Sequence, residues 1–191
     1  MPHLWFRYGA MSSGKSGRLL MDIYHYTEMD NKKAILIKPA VDTRSTDVRS
    51  RAGLSRKADI VLKVDEDFKA YEDIMKDADV IFVEEAHMLS PIQIEALWIY
   101  SMKIAVICTG LRTDFMGHLF PGSARLLALA DKIEEIKGMC KNGCERKAMW
   151  NMRYFNRQPV FQGPQILIGG DESYKGVCKY CAYQAKQNKT S

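Results

Sequence analysis

Short apolar runs alternate with amphipathic stretches along the first 138 residues of the chain. Leu4 to Tyr8 reads as a strand, then comes the turn GAMSSGKS, then a helix through about Tyr26. Ala34 to Lys38 reads as a second strand, and Val80 to Val83 is an unbroken apolar run, the pattern of a strand covered on both faces. Ile60 to Val64 and Ile104 to Cys108 read as further strands, and Lys132 to Lys137 as a last one. Phe68 to Lys76, Ser90 to Met102 and Gly122 to Ala130 carry helical patterns. Ser90-Pro91 is a helix start, with serine as N-cap and proline at the first helical position. Strands alternating with helices predict an α/β fold, a parallel sheet flanked by helices. A polar, arginine-bearing loop fills Pro39 to about Lys57.

After Gly138 the periodicity is lost, and cysteines, glycines and aromatics become frequent. This places a boundary there: residues 1–138 as one domain, 139–191 as a small second one. The tail QAKQNKTS is polar and expected to fray.

Composition narrows the class. Of 191 residues, 47% are hydrophobic and 27% charged, so the chain can build a core and is not wholly disordered. A net charge of +5 suits a protein that handles anionic phosphates without requiring nucleic acid. No apolar run reaches the roughly 20 residues that span a bilayer, and MPHLWFRYGAM lacks the layout of a signal peptide. The expectation is a cytoplasmic protein with no membrane partner. Five cysteines without an export signal fit a reducing compartment, where paired cysteines are more often metal ligands than disulfides.

Gly9-Ala10-Met11-Ser12-Ser13-Gly14-Lys15-Ser16 matches the phosphate-loop pattern GxxxxGK[ST], between a strand and a helix as that motif requires. The glycines let backbone N–H groups face phosphate oxygens, Lys15 neutralises them, and the Ser16 hydroxyl can ligate Mg²⁺. The alternative is an ordinary βα turn.

Val80 to Val83 runs into Glu84 and Glu85. An acid at this strand end usually reaches Mg²⁺, and a second can orient or deprotonate a nucleophile. The strand bearing them is expected beside the phosphate-loop strand, with the site at the carboxyl ends of the sheet. The alternative is a pair of solvated acids.

Cys140 and Cys144 form CxxxC, and Cys178 and Cys181 form CxxC. Two such pairs suit a tetrahedral structural Zn²⁺, which would hold a small, core-poor unit together. Cys108, inside an apolar strand, reads as a core residue.

Nearly the whole chain resembles the phosphate-loop class of thymidine kinases that carry a zinc-bearing lasso domain. GAMSSGKS resembles that family's phosphate loop. KPAVDTR, Lys38 to Arg44, resembles its arginine loop, and SRAGLS, Ser50 to Ser55, the segment after it. GLRTDFMGHLFPGSARLLALADKIEEIK, Gly110 to Lys137, is similar to the bacterial and phage version, and IGGDESYKGVC, Ile168 to Cys178, to the lasso.

The resemblance implies transfer of the γ-phosphoryl of ATP to the 5′-hydroxyl of thymidine, and of deoxyuridine, with Mg²⁺. It makes Glu85 the catalytic base, with Arg44 and Lys15 supplying positive charge. It gives ATP and Mg²⁺ the phosphate loop, Asp42, Glu84, Glu85, Ala86 and His87. It places Met11, Met88, Leu111, Phe115, Phe120 and Tyr174 around the nucleoside, with Leu167, Gly169 and the backbone from Gln165 to Gly170. It further implies a homotetramer and suggests inhibition by dTTP.

The family usually shows Asp-Glu-Ala/Gly-Gln-Phe where this chain has Glu84-Glu85-Ala86-His87-Met88. Three other readings follow: a kinase with shifted nucleoside preference, a nucleic-acid-stimulated ATPase or binding module, and a homologue that binds nucleotide without turnover.

Overall fold

The computed structural model describes residues 3–43, 45–64, 66–167 and 173–190. The strands are β1 (Leu4–Tyr8), β2 (Ala34–Pro39), β3 (Asp47–Arg49), β4 (Ser55–Lys57), β5 (Ile60–Leu62), β6 (Val80–Val83), β7 (Ala105–Gly110), β8 (Lys132–Glu135), β9 (Gly138–Met139), β10 (Lys147–Ala148), β11 (Trp150–Phe155), β12 (Gln158–Val160) and β13 (Tyr174–Val177). The α-helices are α1 (Lys15–Tyr24), α2 (Glu72–Met75), α3 (Pro91–Tyr100), α4 (Pro121–Leu129) and α5 (Lys179–Thr190).

Among the described residues, one parallel sheet has the order β5-β2-β6-β7-β1-β8. Strands β2 and β6 are buried at every position. Successive side chains enter opposite layers. Ile35, Ile37, Ile81, Val83 and Val106 pack with Ile94 and Leu97 of α3 and Leu126 of α4. Leu36, Val80, Phe82 and Ile107 pack with Leu19, Leu20 and Ile23 of α1. Ser90 and Gln93 form a full capping box at the start of α3, which satisfies backbone donors that a helix end leaves unpaired.

One expectation is corrected. The acid-bearing β6 does not lie beside the phosphate-loop strand β1, because β7 is inserted between them, pairing Val83 with Cys108 and Cys108 with Phe6. Parallel neighbours are joined by crossovers, so chain order does not determine spatial order. The buried β7 is a central strand, and its Thr109 hydroxyl donates to Glu84.

Two regions carry more structure than expected. The polar loop contains the β3–β4 hairpin, which turns through Gly53 at φ 85°. Beyond Gly138, β9 pairs with β10, and β12-β11-β13 make a three-stranded antiparallel sheet. The tail expected to fray is helical, since α5 runs on to Thr190. A small core of Met152, Val177, Cys178 and Ala182 lies under this sheet. No described helix is long and apolar enough to cross a membrane.

Candidate functional site

The phosphate loop leaves β1 at Gly9. A Cβ there would come within 2.4 Å of Ile136 O and 2.5 Å of Ser13 Oγ, so only glycine fits. Gly14 turns the chain into α1 at φ 88°, in the left-handed region. Lys15 then begins the helix. Its buried ammonium donates to Gly9 O at 3.1 Å and Ala10 O at 3.0 Å, which holds it inside the curl of the loop.

Ser16 follows, and its hydroxyl donates to Glu84 Oε1 at 2.5 Å, while Thr109 Oγ1 donates to Glu84 Oε2 at 2.5 Å. Burial holds the Glu84 carboxyl above the usual carboxylate range, and the Glu85 charge adds to this. The Ser16 and Thr109 hydroxyls and Lys15 pull the other way. Adjacent hydroxyl and carboxylate oxygens are the hard donors that suit Mg²⁺, so Ser16 and Glu84 fit that ion. Glu85 takes a left-handed backbone, φ 50°, at the sharp turn after β6. Non-glycine residues in that region are uncommon and often mark functional turns. Its carboxylate lies 3.5 Å from His87 Nδ1, which accepts the Leu111 N–H at 3.3 Å. The buried His87 ring meets Phe120 edge-on at 4.5 Å.

A cavity of about 510 Å³ opens over these groups. Its lining brings together Met11, Ser12, Gly14, Lys15, Ser16, Glu85, His87 and Met88. Leu111, Phe115, Phe120, Leu167 and Tyr174 line it too. Of the other expected residues, Gly9, Ala10, Ser13, Glu84 and Ala86 are not among those that line the cavity. Asp42 is also outside it: it is buried and paired with Lys38 at 3.0 Å. Arg44 and Gly169 lie outside the described residues.

The lining includes residues that sequence reasoning did not place there, among them Asp114, Asn151, Arg49 and Arg51. Asn151 accepts the Met11 N–H at 2.7 Å and donates to Thr113 O at 3.0 Å, so β11 supports the phosphate loop directly. Asp114 is buried and accepts from Met116 N, His118 N and Gln165 Nε2. No local signal singles out an Asn in a strand or an Asp in a loop as cavity residues.

The four paired cysteines converge, with all their Sγ atoms within 4.8 Å of one another. Recorded separations are 3.5 Å (Cys144–Cys178), 3.7 Å (Cys144–Cys181) and 3.9 Å (Cys140–Cys181). Bonds of roughly 2.3 Å to a tetrahedral metal give an edge of roughly 3.8 Å, so the cluster fits Zn²⁺. Cys178 N–H points to Cys140 Sγ and Cys181 N–H to Cys178 Sγ, which pre-orients the sulfurs. Cys108 is far from this chemistry in β7, and burial pushes its thiol up, keeping it protonated.

The family model described as "Thymidine kinase" matches residues 2–182. A thymidine kinase of Chromobacterium violaceum is 42% identical over 186 residues, 95% of this chain and 98% of that protein. One of Lactiplantibacillus plantarum is 39% identical over 184 residues, 94% and 95% of the two chains. One of Legionella pneumophila (strain Lens) is 39% identical over 198 residues, covering all of this chain and 93% of that one. The chain belongs to the thymidine kinase family, a family of phosphotransferases.

Proposed function

We propose that the protein transfers the γ-phosphoryl of ATP to the 5′-hydroxyl of thymidine, and of deoxyuridine, giving the 5′-monophosphate. One observation carries this reading: Lys15, Ser16 and Glu85 line the same cavity as Leu111, Phe115, Phe120 and Tyr174. Phosphoryl transfer needs charge neutralisation and alignment, with one group to orient the attacking hydroxyl. Lys15 would hold the β- and γ-phosphate oxygens. Ser16 and Glu84 would hold Mg²⁺, which supplies further positive charge against the phosphates. Glu85 would accept the hydroxyl proton and aim the oxygen. Met11, Met88 and the aromatic residues would pack on the base and sugar and exclude water.

The remaining assignments belong to the same proposal. Arg44 would add charge near the phosphoryl group, and the backbone about Gly169 would hydrogen-bond the base. Residues 139–191 would form a zinc-bearing domain beside a nucleotide-binding domain of residues 1–138. The active species would be a homotetramer in the cytoplasm, inhibited by dTTP. A second reading, a shifted acceptor preference, is favoured by Met88 and His87, which line the cavity where the family usually shows Phe and Gln.

The test follows ADP release from ATP and Mg²⁺ as thymidine, deoxyuridine, deoxycytidine, deoxyadenosine or single-stranded DNA is added in turn, with Glu85→Gln alongside. Release triggered by thymidine and lowered by about 10²–10⁴-fold in the variant supports reaction and base together. Release triggered only by another nucleoside supports the shifted preference. No nucleoside response, with ATP still bound, overturns the kinase reading.

A further inference from the structure

Arg153, in the middle of β11, is 3% exposed. A buried guanidinium is costly unless its donors are satisfied. No carboxylate pairs with it among the described residues. Instead its Nε donates to Tyr174 OH at 2.8 Å, Nη1 to Pro164 O at 2.7 Å and Nη2 to Gln165 O at 3.1 Å. Its flat face lies 3.8 Å from the centroid of Phe115. One side chain thus meets three separate parts of the cavity wall: the loop after β7, the segment before Leu167, and the first residue of β13.

The wall is closed further by its own contacts. Tyr174 OH passes its hydrogen on to Leu167 O at 3.0 Å. Gln165 carries the link to the opposite charge, because its Nε2 donates to Asp114 Oδ2 at 3.0 Å. A buried cation and a buried anion are therefore joined through Gln165, whose backbone serves one and whose side chain serves the other.

We infer that Arg153 is a positioning residue for acceptor binding. It touches no reacting atom. It presets Pro164–Leu167 and Tyr174 against Phe115 before the nucleoside arrives, so that binding does not have to order them. Lysine cannot replace it fully, since an ammonium lacks the planar fork that serves three acceptors while stacking on a ring. The bland alternative is that Arg153 only braces the small sheet. In that case substitution would lower stability and affect both substrates alike.

The inference rests on the proposed thymidine site, and the experiment separates the two. KM and kcat are measured for thymidine and for ATP in the wild type, Arg153→Lys and Arg153→Met, with zinc content and thermal midpoint recorded for each. Arg153→Lys is expected to raise KM for thymidine about tenfold, with KM for ATP within about twofold and kcat within about threefold. Arg153→Met is expected to raise KM for thymidine about a hundredfold. If the methionine variant loses zinc and does not fold, the lysine variant decides. An unchanged thymidine KM in Arg153→Lys, or a matched change in both substrates, overturns the inference while leaving the kinase reading intact. A wild type that neither binds nor turns over thymidine overturns the kinase reading itself.

Discussion

Ser16 donates its hydroxyl hydrogen to Glu84 across 68 residues of sequence, at 2.5 Å. This contact ties the start of α1 to the end of β6, although β7 stands between β1, which carries the loop, and β6, which carries the acids. The extra methylene of Glu over Asp gives the carboxylate the reach to meet Ser16 on one oxygen and Thr109 on the other. The cost is a carboxyl buried in a place that favours its neutral form.

That cost predicts a stability effect with a definite sign. The folded-state pKa of Glu84 is raised, so its contribution is fully present below its unfolded pKa and is lost as pH rises through the folded value. Near neutral pH, Glu84→Gln is therefore expected to raise the thermal midpoint of the nucleotide-free protein, by roughly 2–4 °C per 1 kcal/mol relieved. Phosphotransfer should fall at the same time. Thermal scans from pH 5 to 8 check this, and a gap between variant and wild type that does not widen with pH would refute it.

Substitution at His87 should depend on hydrogen-bonding shape more than on charge. A glutamine can accept the Leu111 N–H and donate to Glu85, so His87→Gln should keep kcat within about threefold. His87→Ala loses both contacts and the Phe120 packing, and kcat should drop by about 10–100-fold. Steady-state kinetics on the two variants decide it; equal losses would show that the ring itself is required.

Gly122 underlies the turn that carries Glu85. A Cβ there would come within 2.6 Å of Leu89 O, 2.8 Å of Ala86 O and 2.9 Å of His87 O, all backbone atoms that cannot swing aside. Gly122→Ala should cost about 1–3 kcal/mol in urea unfolding, an overpacking effect, and should slow turnover as the turn shifts. An unchanged unfolding midpoint would contradict the close packing of α4 on this turn.

The cysteine cluster should hold one zinc per chain by atomic absorption, and Cys178→Ser should abolish it. Cys178 directly follows β13, the strand that begins with Tyr174. Metal removal is therefore expected to weaken thymidine binding far more than ATP binding. A metal-free preparation with full thymidine affinity would rule out this coupling.

How much of this was legible beforehand varies by kind of interaction. Local geometry read well: the strand, turn and helix around GAMSSGKS, the strand before the two acids, the Ser90-Pro91 helix start and the pairing of cysteines each carry their cause in adjacent residues. Spatial order read badly. Nothing in the residues of β7 says that it lies between β6 and β1, because parallel neighbours are chosen by packing of crossovers rather than by sequence adjacency. The support residues were also hidden. Asn151 and Arg153 lie in a segment without a motif, Asp114 lies unmarked inside the Gly110–Lys137 stretch, and each matters through partners far along the chain. The β3–β4 hairpin escaped notice because two three-residue strands in a charged loop have too little apolar alternation to register.

Met11 donates its backbone N–H to Asn151, 140 residues later, and a Cβ on Gly176 would come within 2.6 Å of Met11 O. During synthesis, the phosphate loop leaves the ribosome long before the strands that brace it. A chain truncated before β11 carries every strand of the parallel sheet but lacks one side of its nucleotide cradle. The phosphate loop is therefore braced only once β11 and β13 have been made, so chains cut short before β11 should be inactive.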